Sequence, residues 1–188
     1  MPETTAPVAV PPSLMELTLL DTIPLRDAYR ALLDAAATVA DAGRPGLPAP
    51  PGEWNADQIL AHVALIGAGT IAAVSQVTAG ANTTYDNRIA QDTWTIDRVI
   101  ALAGGSTGLR DRIRGQAEAL CALAGPALSE AELAAMVPTR LLSGGTLLLD
   151  QPVPLRDILT GLAGMELPGH TRQLLALLPD GARAGAAT

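Results

Sequence analysis

The sequence contains no lysine and no phenylalanine, one cysteine, two histidines and only 2% aromatic residues. Without an amine side chain the chain has no group to form a Schiff base, so that covalent route is closed. The lone Cys121 has no partner for an internal disulfide, and the fold does not depend on an oxidising compartment. Basic charge is also scarce: twelve arginines face nineteen acidic residues, giving a formal charge of −7 and a pI near 4.7. Nucleic acid is not an expected partner, because neutralising phosphates needs a basic surface. No uninterrupted apolar run approaches the length of a bilayer span, so no membrane partner is expected. The first thirteen residues lack the basic start of a secretory signal, which makes a cytoplasmic location the default.

What is present is a globular composition, 48% hydrophobic and 16% charged over 188 residues, enough for one domain with a sizeable core. The all-arginine, alanine-rich and glycine-rich bias is the one that GC-rich coding produces, as in actinobacteria. Residues 1–12 read as an irregular arm, 13–180 as a single helical domain and 181–188 as a tail.

Within the domain, Ser13 can cap a short start at Leu14, and Asp21 or Thr22 can cap a helix that has Pro24 in its first turn. Leu25, Tyr29, Leu32, Ala36 and Val39 follow at helical spacing as far as Gly43. Four prolines between Arg44 and Gly52 enforce a loop. Asn55 and Gln58 then form a capping-box pattern opening a long, almost wholly apolar second helix, which belongs in a core. After a polar connection at 80–88, Asp92 or Thr93 caps a third helix, and Gly104-Gly105 predicts either a break or a kink in it. Ser129 and Glu132 repeat the capping-box pattern ahead of a short helix reaching Met136. Residues 138–150 read as a short β-hairpin insertion around Ser143-Gly144-Gly145, ended by Pro152 and Pro154. A last leucine-rich helix closes an otherwise all-α layout of four main helices.

The two histidines lie inside apolar, helix-like runs. Glu166 and His170 stand four apart, so on a continuous helix they share a face. With His62 they make a set of two imidazoles and a carboxylate, suited to a divalent transition metal and leaving coordination positions open. The simpler reading is a polar pair, since a carboxylate on a leucine-rich helix must be paired, protonated or exposed, and His170 can pair it without a metal. Pro168 and Gly169 lie between the two later residues, and an interior proline costs about 3 kcal/mol through its lost N–H and its clash with a preceding carbonyl. Two outcomes follow: a bent helix that still delivers both side chains, or a fresh start near Leu167 that separates them.

The stretch Glu53-Trp54-Asn55-Ala56-Asp57-Gln58-Ile59-Leu60-Ala61-His62-Val63 resembles the Trp-Ser/Asn-x-x-x-Ile/Val-x-x-His-Leu opening of the second helix in DinB-like proteins, which include the mycothiol-dependent maleylpyruvate isomerases. Glu166-Leu-Pro-Gly-His170 is similar to the Glu-x-x-x-His of that isomerase branch, and Gln173 falls where DinB-like chains often carry Gln. Ala163 and Gln173 stand where the branch has Arg and Asp. The resemblance implies a four-helix bundle and a metal held by His62, Glu166 and His170, which would also be the catalytic residues. Zinc is the first expectation, nickel or iron the next, with mycothiol as a thiol co-substrate. It implies a transferase, isomerase or hydrolase acting on a small organic molecule. Arg88, after Tyr85-Asp86-Asn87, resembles a family Arg near the pocket mouth, so Arg88 and Tyr85 are the expected substrate contacts; a surface role is the simpler reading of Arg88.

A second function remains open from the residues alone, a metal-free helical bundle that binds or cyclises an apolar metabolite. A homodimer is compatible with either reading. Trp54 reads as a packing residue, Tyr29 as core with its hydroxyl at a rim, and Cys121 as a small buried hydrophobe.

Overall fold

The computed structural model describes residues 20–43, 49, 52–125 and 127–179. The predicted arm at 1–12, the Ser13 start, the tail and most of the proline-rich loop lie outside these residues. Helix α1 (Ile23–Asp41) starts on Pro24, and the Ile23 N–H donates to Asp21 Oδ1 at 2.9 Å, so Asp21 rather than Thr22 supplies the side-chain acceptor. Helix α2 (Ala56–Thr78) opens on the expected capping box, with Asn55 and Gln58 each accepting from the other's backbone N–H.

By length and composition α2 could cross a membrane, its mean hydropathy reaching 1.6 over the most apolar window. Within the fold 61% of the window is buried against other parts of the chain, as a central core helix requires.

Strand β1 (Tyr85–Asp86) and a 3₁₀ turn (Arg88–Gln91) occupy what the sequence showed only as a polar connection. Helix α3 (Thr93–Ala103) is capped by Asp92, whose carboxylate accepts from the Thr95 N–H at 2.9 Å. Gly104 and Gly105 then break the chain cleanly, at φ 74° and 88°, and helix α4 (Ser106–Ala124) begins. The corner is tight, since a Cβ at Gly108 would lie 1.9 Å from the Ala103 carbonyl oxygen. Helix α5 (Glu130–Leu133) keeps the Ser129/Glu132 capping box but stops short of Met136.

The all-α expectation is corrected in one respect: the fold is mostly helical but carries a three-stranded sheet in the order β1-β2-β3. Strands β2 (Met136–Ser143) and β3 (Thr146–Pro154) form the expected hairpin, longer than predicted at both ends. Its two-residue turn is Gly144-Gly145, at φ 53° and 79°, a conformation that favours glycine at both positions. Pro152 and Pro154 continue β3 rather than ending it, which an edge strand tolerates because its outer N–H groups have no ladder partner to lose. A register shift at Leu141/Leu142 places Leu149 opposite Leu141 and Leu147 opposite Leu142, so Leu148 is the extra, bulged residue. β1 joins in parallel, with Tyr85 opposite Thr139.

The chain ends in helix α6 (Leu155–Gly161), a π turn (Leu162–Glu166) and helix α7 (Leu167–Ala176). α2 packs on α4, and α1 packs on α4 and α7. Leu32, Leu60, Leu109, Ile113, Leu120 and Leu174 are fully buried in one core, each contributing about 1.5–3 kcal/mol by removal from water.

Candidate metal centre

The proline problem at 168 is met by the backbone just before it. Leu162, Glu166 and Leu167 all keep right-handed helical dihedrals, and the Leu167 N–H bonds to the Leu162 carbonyl, five residues back instead of four. A proline has no N–H to return to Gly164, and its ring would strike that carbonyl in a regular helix. Widening the turn by one residue relieves the conflict without ending the helix. Of the two outcomes the sequence allowed, the fresh start that separates Glu166 from His170 is the one not seen.

Glu166 Oε1 lies 3.2 Å from His170 Nε2 and 3.2 Å from His62 Nε2, which arrives from α2. The three donor atoms lie within 4.8 Å of one another. Both imidazoles are oriented from behind. His62 Nδ1 is 2.6 Å from the Ala90 carbonyl, presented by the 3₁₀ turn. A carbonyl can only accept, so Nδ1 carries the hydrogen and Nε2 of the neutral ring is a bare lone pair. His170 Nδ1 lies 2.7 Å from Gln173 Oε1, which sets the same tautomer. Two imidazole lone pairs therefore point at a carboxylate oxygen, an arrangement that needs a cation or protons between them.

Two of the three ligand-to-ligand edges, the 3.2 Å separations at Glu166 Oε1, are close to the about 3.3 Å that ligand bonds of about 2.0–2.1 Å imply around a tetrahedral ion. The carbonyl and amide behind the rings are the outer-shell partners that metal-bound histidines use to fix their tautomer. Where protons rather than a cation sit on the Nε2 atoms, hydrogen bonds from His170, and from His62 after it, hold the Glu166 carboxyl far below the usual carboxylate range, against the opposing effect of burial. The His62 side chain is 4% exposed, His170 12% and Glu166 40%, so the site opens on the carboxylate side.

That side faces a cavity of about 940 Å³. Its far wall is the hairpin, from Leu141 to Leu149, and its near wall is α2 and the π turn. Asn87 holds the hairpin in place at the bulge: its amide accepts from the Leu142 N–H at 2.8 Å and donates to the Leu142 carbonyl at 2.9 Å. Gln91 donates to the same carbonyl. Trp54 is more than a packing residue, because it lines the cavity with its ring 4.9 Å from that of His62.

The structure brings His62, Glu166, His170 and Tyr85 together at this cavity and leaves Arg88 out of its lining. Arg88 is 60% exposed and its guanidinium is 2.6 Å from Asp86. Asp86 sits two residues before Arg88 and accepts from both its backbone N–H and its Nε, which fixes the side chain away from the cavity lining. Tyr29 is buried with no hydrogen-bond partner on its hydroxyl, not at a rim, and Cys121 is a buried thiol whose pKa burial raises. Asn87 and Gln91 escaped the sequence reading because their partner, the Leu142 backbone, is more than fifty residues away.

No protein family, curated protein or solved structure matches this chain. One consequence of the geometry is local: Gln173→Ala removes the acceptor behind His170 without touching a ligand atom. If the group holds a divalent ion, its affinity, measured by competition with a chromophoric chelator, should fall about 10–100-fold, as it does when outer-shell partners are lost elsewhere.

Proposed function

We propose that this chain is a metal-dependent enzyme of the DinB-like kind, acting on a small organic molecule by hydrolysis, isomerisation or thiol transfer. His62, Glu166 and His170 hold one divalent ion, zinc first, with nickel or iron as the next fits. α1, α2, α4 and the last helix correspond to the four-helix bundle of that superfamily. The observation that carries the reading is the convergence of two tautomer-fixed imidazole lone pairs on one carboxylate at the floor of a large cavity. Such an ion, when bound, lowers the pKa of a water or thiol and polarises a carbonyl.

The chain's own residues do the rest. Ala90 and Gln173 keep the rings in register, and Trp54 and the leucines of the hairpin shield the reacting end of the substrate from bulk water. Three protein ligands leave at least one position for substrate or water. Mycothiol as co-substrate rests on the resemblance alone.

Protein purified without chelator should carry about one equivalent of metal by elemental analysis. Its activity on a panel of esters and electrophilic thiol acceptors should vanish in chelator and return with zinc. A metal-free protein that keeps full activity in chelator would rule the reading out. The apolar character of the cavity wall favours one competitor, a metal-free binder or cyclase of an apolar metabolite, and that outcome would point to it.

A further inference from the structure

We propose that the cavity takes an uncharged, largely apolar molecule bearing an N–H or O–H donor, received by the buried oxygens of Tyr85 and Thr139. The hydroxyl protons on that side of the cavity are already spent. Thr70 Oγ1 donates to the Ile66 carbonyl at 2.9 Å, which spends its only proton. In the 3.2 Å contact between Thr70 and Tyr85 the phenol must therefore donate. Tyr85 keeps only lone pairs to offer. Thr139 is in the same state, because its hydroxyl donates to the Val137 carbonyl at 2.8 Å.

Both residues line the cavity, and they are 8% and 3% exposed. Gln91 spends an amide N–H on Leu142, and the Asn87 amide is engaged at both ends by that residue. Each of these amides keeps a second N–H, whereas the Tyr85 and Thr139 oxygens have only lone pairs left to offer. Two further donors, the Gln173 amide and the Trp54 indole, stand at the metal centre: Gln173 contacts His170 and Trp54 lies beside His62. A ligand is oriented by this polarity, acceptor end toward the metal centre and donor end inward. An unmatched buried acceptor is costly, so a ligand lacking the donor is selected against.

Charge narrows the class further. Among the described residues no arginine lines the cavity, while Glu53, Asp157 and Glu166 do, so away from the metal centre an anion meets acidic rather than cationic side chains of the described wall. Two neutral imidazoles and one carboxylate leave a bound divalent ion with a net positive charge, which repels a cation. A neutral amide or alcohol on an apolar body satisfies both limits.

This inference rests on the proposed function in placing the reacting end of the ligand at the metal centre and in excluding cations. Its test compares 2-naphthylacetamide with methyl 2-naphthylacetate, which share the ring and the carbonyl and differ in the N–H donor. Calorimetric titration of the zinc-loaded and the chelator-treated protein should show the amide about tenfold tighter in both. Tyr85→Phe combined with Thr139→Val should reduce that advantage to about twofold or less. Equal affinities in the unmodified protein, failure of both probes to bind, or an advantage that survives the double variant would overturn the proposal. The unmodified protein decides by itself if the double variant does not fold. A preference that holds in protein with no metal affinity would sink the metal reading and leave this one standing; bound zinc without the preference would do the reverse.

Discussion

His62→Ala is expected to abolish stoichiometric zinc binding. The ring is one of the three proposed ligands and the one most deeply held, packed in α2 and tied at Nδ1 to the Ala90 carbonyl. Without it Glu166 and His170 remain as an i, i+4 pair on one helix, and two ligands do not enclose an ion that favours four. The loss of affinity should exceed the about 10–100-fold that follows removal of an outer-shell partner such as Gln173. Competition with a chromophoric chelator measures it, and unchanged affinity would place the ion elsewhere. The variant also leaves the Ala90 carbonyl without its donor, which costs about 1–3 kcal/mol if no water replaces it.

Leu167→Ala should have the opposite profile, a large loss of stability with the metal ligands intact. Leu167 is fully buried, and its N–H closes the π turn that accommodates Pro168. Truncating a buried leucine costs about 2–5 kcal/mol, with the spread set by how far the surroundings collapse into the gap. For a chain of this size each kcal/mol lowers the unfolding midpoint by roughly 2–4 °C. Thermal melts followed by circular dichroism should show that drop, while the folded fraction still binds zinc. A midpoint within a degree of the unmodified protein would mean that the site is not packed as described.

Much of this was legible because it is local. Asn55 with Gln58, Ser129 with Glu132, and Asp92 with Thr95 each satisfy helix ends within three residues, and such patterns are visible in any sequence. Glu166 and His170 were legible for the same reason. Pro168 correctly flagged trouble, but its solution, one extra residue in the preceding turn, has no sequence signature.

What could not be read is what depends on distant backbone. The Ala90 carbonyl that fixes the His62 tautomer, the Asn87 amide in the hairpin bulge and the parallel pairing of Tyr85 with Thr139 all join segments far apart in the chain. The hairpin itself was visible, but not its use as a cavity wall. Arg88 shows the converse: the family analogy aimed it at a substrate, while Asp86, two positions earlier, already held it.

The central claim is that one ion sits among His62, Glu166 and His170. Anomalous diffraction from zinc-soaked crystals, collected on both sides of the zinc edge, tests it most directly. The account predicts a single strong peak about 2.0–2.2 Å from His62 Nε2, His170 Nε2 and a Glu166 oxygen. Ordered side chains with no peak between them, and both imidazoles hydrogen-bonded to Glu166, would contradict it.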